Sequence, residues 1–270
     1  MMSCVVLIIS LESSQFERTR RRYEAAGGTL PVIHIPGVLA TKEQREFACT
    51  GFAKYFGTQS LIGCGLAHRQ AWKTAEEMNC RAAIILEDDI HFSPTFNERI
   101  ILEPLLTRSV DMFVFGNMVI GLKDCSELEH LWRIWLVGFE NHSDCYYDVK
   151  KMYGTHGYAI SRETLISLRK NLRMVTHHID LELSKLCKNR SLLARGCRPN
   201  MVFQAHFNES SQLEHRTSSL DTCEIDACPP ITYLWNFKSL RLLDSIDITA
   251  GNLILWALLC FVLLMLVKRR

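Results

Sequence analysis

The chain opens on an uninterrupted apolar run over residues 4–9, rich in β-branched side chains. Such a run suits a strand buried on both faces. A polar stretch, 10–14, then hands over to a charged helix predicted over 15–26, which Gly27 and Gly28 terminate. A second short strand is predicted over 31–35. After Gly63-Cys64-Gly65, a run of good helix formers predicts a helix over 66–79. The segment "AAIILEDDI", residues 82–90, returns to the apolar, β-branched pattern. Further strands are expected over 112–115, 157–160 and 201–205, with helices over 161–171 and 179–186.

This β-α-β-α-β rhythm predicts an α/β fold of the doubly wound class, a parallel sheet with helices on both faces. Ligands of such sheets bind beyond the carboxyl ends of the strands, here 10–14 and 87–89. Residues 1–206 are read as one domain, 207–247 as a polar loop or stalk, 248–267 as a transmembrane segment and 268–270 as a basic tail. From 253 to 267 every residue is apolar, with no polar face, and about 20 uncharged residues suffice to cross a bilayer. The start of the chain lacks the basic flank and cleavage pattern of a signal peptide.

A length of 270 residues permits one sizeable core, and a net charge of +2 leaves no electrostatic footprint for nucleic acid. The eleven cysteines are dispersed, with no zinc-ribbon spacing. Cys223 and Cys228 are either a small disulfide loop or two ordinary thiols, which spacing alone does not decide.

Candidate chemistry concentrates at Glu87-Asp88-Asp89. Three consecutive carboxylates repel one another unless a cation or a set of donors compensates them. A divalent metal such as Mn²⁺ or Mg²⁺, shared with diphosphate oxygens, is one reading, and a solvated acidic turn is the other. Arg18, Arg20, Arg21 and Arg22 sit in the first helix, where Arg18 shares a face with Arg21 or Arg22 and could meet an anion. His68 is either a packing residue or part of a site. His177 and His178 point in different directions, so a single metal does not use both. Asp180 opens a helix and is either a general base for a hydroxyl or a plain helix-terminal charge.

Six segments, in order, resemble glycosyltransferase family 25. "VLIISLESSQFERTRRR" looks like that family's opening strand and arginine-bearing helix, "GCGLAHRQAWK" its GC-x-x-SH segment, and "AIILEDDI" its acidic motif. "GTHGYAISRETL", "HHID" and "PNMVFQAHFNESSQL" resemble the later motifs. The resemblance implies a GT-A type fold, a UDP-sugar donor, commonly UDP-galactose, transfer with inversion, and Mn²⁺ or Mg²⁺ at the acidic motif. Carried over residue by residue, it implies Glu87 and Asp89 as metal ligands and Asp180 as the late catalytic aspartate. Arg18, Ser10, His68 and Asp88 become donor-binding residues. Ser10 stands where the family usually has asparagine and Ala67 where it usually has serine. A C-terminal membrane segment is not the usual family plan.

The implied acceptor is a hydroxyl of a glycan, lipid or protein. The competing class is a catalytically silent, membrane-tethered family member that acts as an adhesion or binding protein. A nucleotidyltransferase is disfavoured because residues 10–18 contain neither glycine nor lysine. The basic tail favours a lumenal domain, in endoplasmic reticulum or Golgi, by the positive-inside rule. Glycan acceptor patterns at Asn141, Asn189 and Asn208 add slight support, and a tail-anchored cytosolic domain is the rival.

Overall fold

Strand β1 (Cys4–Ser10) is buried at all seven positions because it has a neighbouring strand on each side and a helical layer on each face. The computed structural model describes residues 4–116, 140–141, 146–152, 154–197, 200–204, 238–242, 246–249, 256–258 and 260. Strands β2 (Val32–Pro36) and β3 (Ala82–Glu87) flank β1 in parallel, joined to it through α1 (Ser13–Ala25) and α4 (Gln59–Glu77). Between β2 and α4 lie two short helices that the sequence pattern does not predict, α2 (Lys42–Ala48) and α3 (Gly51–Phe56). The first of these is fixed by a capping box between Thr41 and Gln44.

Later elements are β4 (Ile90–Phe92), α5 (Glu98–Leu106), β5 (Met112–Gly116), β6 (Glu140–Asn141), β7 (Tyr146–Asp148) and β8 (Gly157–Ser161). They are followed by α6 (Arg162–Asn171), α7 (Ile179–Lys188), β9 (Ala194–Cys197) and β10 (Val202–Gln204). The main sheet runs β2-β1-β3-β8-β5-β9-β7-β6. It is mixed, which corrects the expected all-parallel sheet: β8 pairs antiparallel with both β3 and β5. An apolar run has the same period in either direction, so strand polarity is invisible in the pattern. Beyond the acidic turn expected at 87–89 a further short strand follows, β4, which leaves the main sheet to pair antiparallel with β10.

Alternation along the strands builds two cores. Val5, Leu7 and Ile9 face one side with Ala67, Ala71 and Trp72 of α4, Leu165 of α6 and Leu183 of α7. Cys4, Val6 and Ile8 face the other with Tyr23 of α1 and Ile101 and Leu105 of α5. Helices thus cover both faces, as expected. Helix α4 begins two turns earlier than predicted, with Thr58 accepting from the Leu61 amide at 3.1 Å. Glycines at 63 and 65 obscured this start, since each costs about 1 kcal/mol in a helix interior. Gly63 is there for a close approach: a Cβ would lie 1.8 Å from the Val38 carbonyl oxygen.

Arg69 ties α4 to the segment entering α7. It donates to the carbonyls of Leu172 and Met174 at 2.8 Å each and lies 2.5 Å from Glu182 Oε2. The other Glu182 oxygen accepts from Thr176 and His177, so this buried pair is fully bonded rather than isolated.

Two further strands, β11 (Lys238–Leu242) and β12 (Ile246–Thr249), pair antiparallel within the region read as a stalk and the first residues of the predicted span. Among the described residues no helix is long and apolar enough to cross a membrane. The span predicted over 248–267 falls largely outside them; Trp256, Ala257, Leu258 and Cys260 are helical and exposed. Cys223, Cys228, Asn208 and the basic tail lie outside the described residues as well.

Candidate active site

Parallel pairing sets Ile9 opposite Glu87, so the chain ends of β1 and β3 deliver Ser10 and Asp88 side by side. The Ser10 hydroxyl lies 2.5 Å from Asp88 Oδ2 and 2.8 Å from the Glu12 carbonyl. From α1, Thr19 donates to the Asp88 carbonyl at 2.7 Å and Arg22 to the Ile90 carbonyl at 3.1 Å. The first helix therefore grips the acidic segment by its backbone, on either side of Asp89.

Glu87 has the parity of Ile85 and faces α4 instead. Its Oε1 accepts the Thr155 hydroxyl at 2.6 Å and sits 3.3 Å from His68 Nε2. Beyond His68, the Trp72 indole donates to the Tyr158 hydroxyl at 2.9 Å, and that hydroxyl lies 2.9 Å from His68 Nδ1. Having accepted from Trp72, Tyr158 gives its one proton to Nδ1, which leaves the Nε2 hydrogen aimed at Glu87. His68 is fully buried, three turns into α4. The acidic trio is thus not a solvated turn. Its members diverge, Glu87 toward α4 and Asp88 toward α1, and Asp89 is buried at 8% exposure.

The two environments push the carboxyls apart. Burial raises Glu87, but hydrogen bonds from His68 and Thr155, with the positive charge His68 carries when protonated, hold it below its usual value. Burial raises Asp88, and the Glu87 charge adds to this while Ser10 and Arg18 oppose it. Asp180, at the start of α7, is pushed up to about 6 by burial, against the amides of Gly154 at 3.1 Å and Leu181 at 2.7 Å.

Ser10, His68, Glu87, Asp88 and Asp89 line a single cleft together with Cys64 and the 37–39 segment. The sequence-predicted residues are brought together there, with two exceptions. Arg18 stands outside the cleft, exposed beside Arg21 and Arg22 in a shallow groove on α1, although its charge reaches Asp88. Asp180 does not line the cleft wall; it holds Gly154, whose neighbour Thr155 holds Glu87. His177 stacks on Phe52 with ring centroids 5.4 Å apart, away from any shared site with His178.

Sequence reasoning missed Thr155, Tyr158, Trp72 and His156. The amino end of the antiparallel β8 carries Thr155 and His156 to the same edge as the carboxyl ends of β1 and β3, and nothing in the pattern announced that direction. His156 is 1% exposed, and neither ring nitrogen has a hydrogen-bond partner among the described residues. Burial lowers it to about 4, so it is neutral at physiological pH.

Comparison with known proteins agrees on the region. The family described as Glycosyltransferase family 25 (LPS biosynthesis protein) matches residues 4–106, which contain β1 through α5 and the whole acidic trio. A glycosyltransferase 25 family member of Anopheles gambiae is 25% identical over 236 residues, 75% of this chain and 37% of that protein. Another of Aedes aegypti is 27% identical over 166 residues, 56% of this chain and 25% of that protein. The chain therefore spans well under half the length of these curated relatives. Among solved structures, A197 from STIV has a TM-score of 0.42 at 10% identity, covering 75% of this chain and 85% of that one. A glycosyltransferase involved in the glycosylation of the major capsid of PBCV-1 has a TM-score of 0.29 at 9% identity, covering 62% and 66%.

Proposed function

From the chain's similarity to glycosyltransferase family 25, we propose that it transfers a hexose, galactose from UDP-galactose in the first instance, to a hydroxyl of a glycan, lipid or protein. The observation that supports this reading best is the cleft at the strand ends, where Asp89 is buried and Glu87 and Asp88 are each held by partners of their own. Ordering of that kind is costly for a surface turn and useful for a site.

One or two of Glu87, Asp88 and Asp89 would offer hard donors of the kind Mn²⁺ and Mg²⁺ take, with diphosphate oxygens completing the shell. Bound there, the ion would supply charge neutralisation for the departing diphosphate. Ser10 orients Asp88, and His68 with Thr155 orients Glu87, so neither carboxylate swings freely. Asp180, with a value of about 6, is matched to accepting a hydroxyl proton near neutrality, and inversion at the sugar carbon requires only one such base. Arg18 and its neighbours offer positive charge from the groove on α1, and the Arg18 charge reaches Asp88. The apolar run over 248–267 supports a membrane-tethered enzyme of the endoplasmic reticulum or Golgi.

The test is Mn²⁺-dependent turnover of UDP-sugars by the full chain, with UDP-galactose compared against UDP-glucose and UDP-N-acetylglucosamine. Release of UDP from one of them, faster with acceptor present, is the expected result. Binding without turnover for all three would favour a silent binding protein.

A further inference from the structure

We infer that Cys64, His68 and Glu87 form a second metal site, for a thiophilic divalent cation of the Zn²⁺ type, and that filling it withdraws Glu87 from the hard-metal site. Cys64 and His68 are four residues apart on α4, one turn along the same face, and Glu87 ends the strand that this face packs against. The thiol sulfur, a ring nitrogen and a carboxylate oxygen of the three lie within 4.8 Å of one another. His68 Nε2 and Glu87 Oε1 are already 3.3 Å apart. Bond lengths of about 2.0 to 2.3 Å place neighbouring tetrahedral ligands about 3.3 to 3.8 Å apart, so only the Cys64 sulfur has to move closer.

The donor set decides the metal. One thiolate and one imidazole select Zn²⁺ over Mn²⁺ or Mg²⁺, which favour oxygen alone. On binding, the Cys64 thiol releases its proton to solvent. His68 moves its remaining hydrogen to Nδ1, and the Tyr158 hydroxyl 2.9 Å away turns its own hydrogen aside and accepts there instead of donating. Three protein ligands leave a fourth position open toward the cleft, which Cys64, His68 and Glu87 all line. Because Glu87 belongs to both sites, the soft and hard metals exclude one another there. That competition rests on the transferase reading; the binding itself does not.

The experiment uses the full chain and Co²⁺ as the probe, because a thiolate bound to Co²⁺ gives a charge-transfer absorption that oxygen and nitrogen ligands do not. A band is expected in the parent, displaced by Zn²⁺ and lost in Cys64→Ser. X-ray absorption at the zinc edge of the unmodified protein needs no variant and should report one sulfur among nitrogen and oxygen neighbours. No band, a band that survives Cys64→Ser, or a zinc shell with no sulfur or several overturns the inference. A Co²⁺ band in a chain that turns over no UDP-sugar would uphold the metal site and count against the transferase. Turnover without the band would do the reverse.

Discussion

Ser10 and Asp88, seventy-eight residues apart in the chain, meet at 2.5 Å because β1 and β3 run in parallel register to the same edge. The hydroxyl favours the ionised form of a carboxyl that burial otherwise pushes up. Ser10→Ala should therefore raise Asp88 further and cost about 1 kcal/mol of stability. UDP binding in Mn²⁺ should weaken, and more so at the more acidic of two pH values, because the protonated carboxyl is the poorer ligand. Calorimetric titration at the two pH values reads this directly. Equal weakening at both would place the hydroxyl's role elsewhere than on Asp88.

Replacing Asp89 with Asn keeps the shape and removes one unit of ligand charge. Loss of charge stabilisation in a closed site is worth on the order of 3 kcal/mol, so transfer should drop roughly 100-fold while thermal unfolding stays cooperative. If Asp89→Asn transfers sugar like the parent, no metal is held by that residue.

Asp180 gives a pH dependence with a definite sign. Its folded value, about 6, is above the ordinary carboxyl value of 3.8, because burial disfavours the charge. Its contribution to stability is thus complete below the ordinary value and is lost as pH climbs through about 6. Activity should follow the opposite course, rising through about 6 as the base ionises. Asp180→Asn should abolish that limb, lower turnover and leave Mn²⁺-dependent UDP binding nearly intact. Melting curves from pH 4 to 8, run beside pH-rate profiles, would show the parent losing ground to the variant over the window in which it gains activity.

Gly63→Ala would place a methyl group 1.8 Å from a backbone oxygen that has no free rotor to escape on. The strain, partly offset by the better helix propensity of alanine, should cost about 2 kcal/mol in denaturant unfolding. Since Val38 lines the cleft, UDP binding should fall too. An unchanged midpoint would mean that the 37–39 segment yields freely.

Deleting residues 251–270 should turn a protein that pellets with carbonate-washed membranes into one that stays in the supernatant. A truncated chain that still pellets would remove the tail from the account of membrane binding. Glycosidase sensitivity of the full chain would place the domain in the lumen.

Much of the site was legible because charge at the end of an apolar strand is conspicuous. Three carboxylates after "AAIIL" and a serine after "VVLII" mark the two strand ends without any knowledge of neighbours. What was illegible is whatever depends on polarity or on a partner's approach. Thr155 and His156 stand just before the strand expected over 157–160 and Tyr158 inside it, and nothing local says that β8 enters from the ligand edge. The start of α4 was hidden by glycines whose reason, the Val38 carbonyl, lies over twenty residues upstream. Cys64 and His68 were read singly, although their spacing of four already put them on one face.

The placement of β8 between β3 and β5 also constrains the order in which the molecule can assemble. The neighbours of β8 precede it in the chain, so the gap between them closes only when residues 157–161 dock. Such non-local pairing is slow, since loop closure is lost entropy until the strand docks. Thr155 arrives with that strand, so Glu87 has no hydroxyl partner, and His68 no phenol, in any species that has folded only as far as α5. Competence of the cleft is consequently a late event in folding, coincident with closure of the sheet and not with formation of the acidic turn.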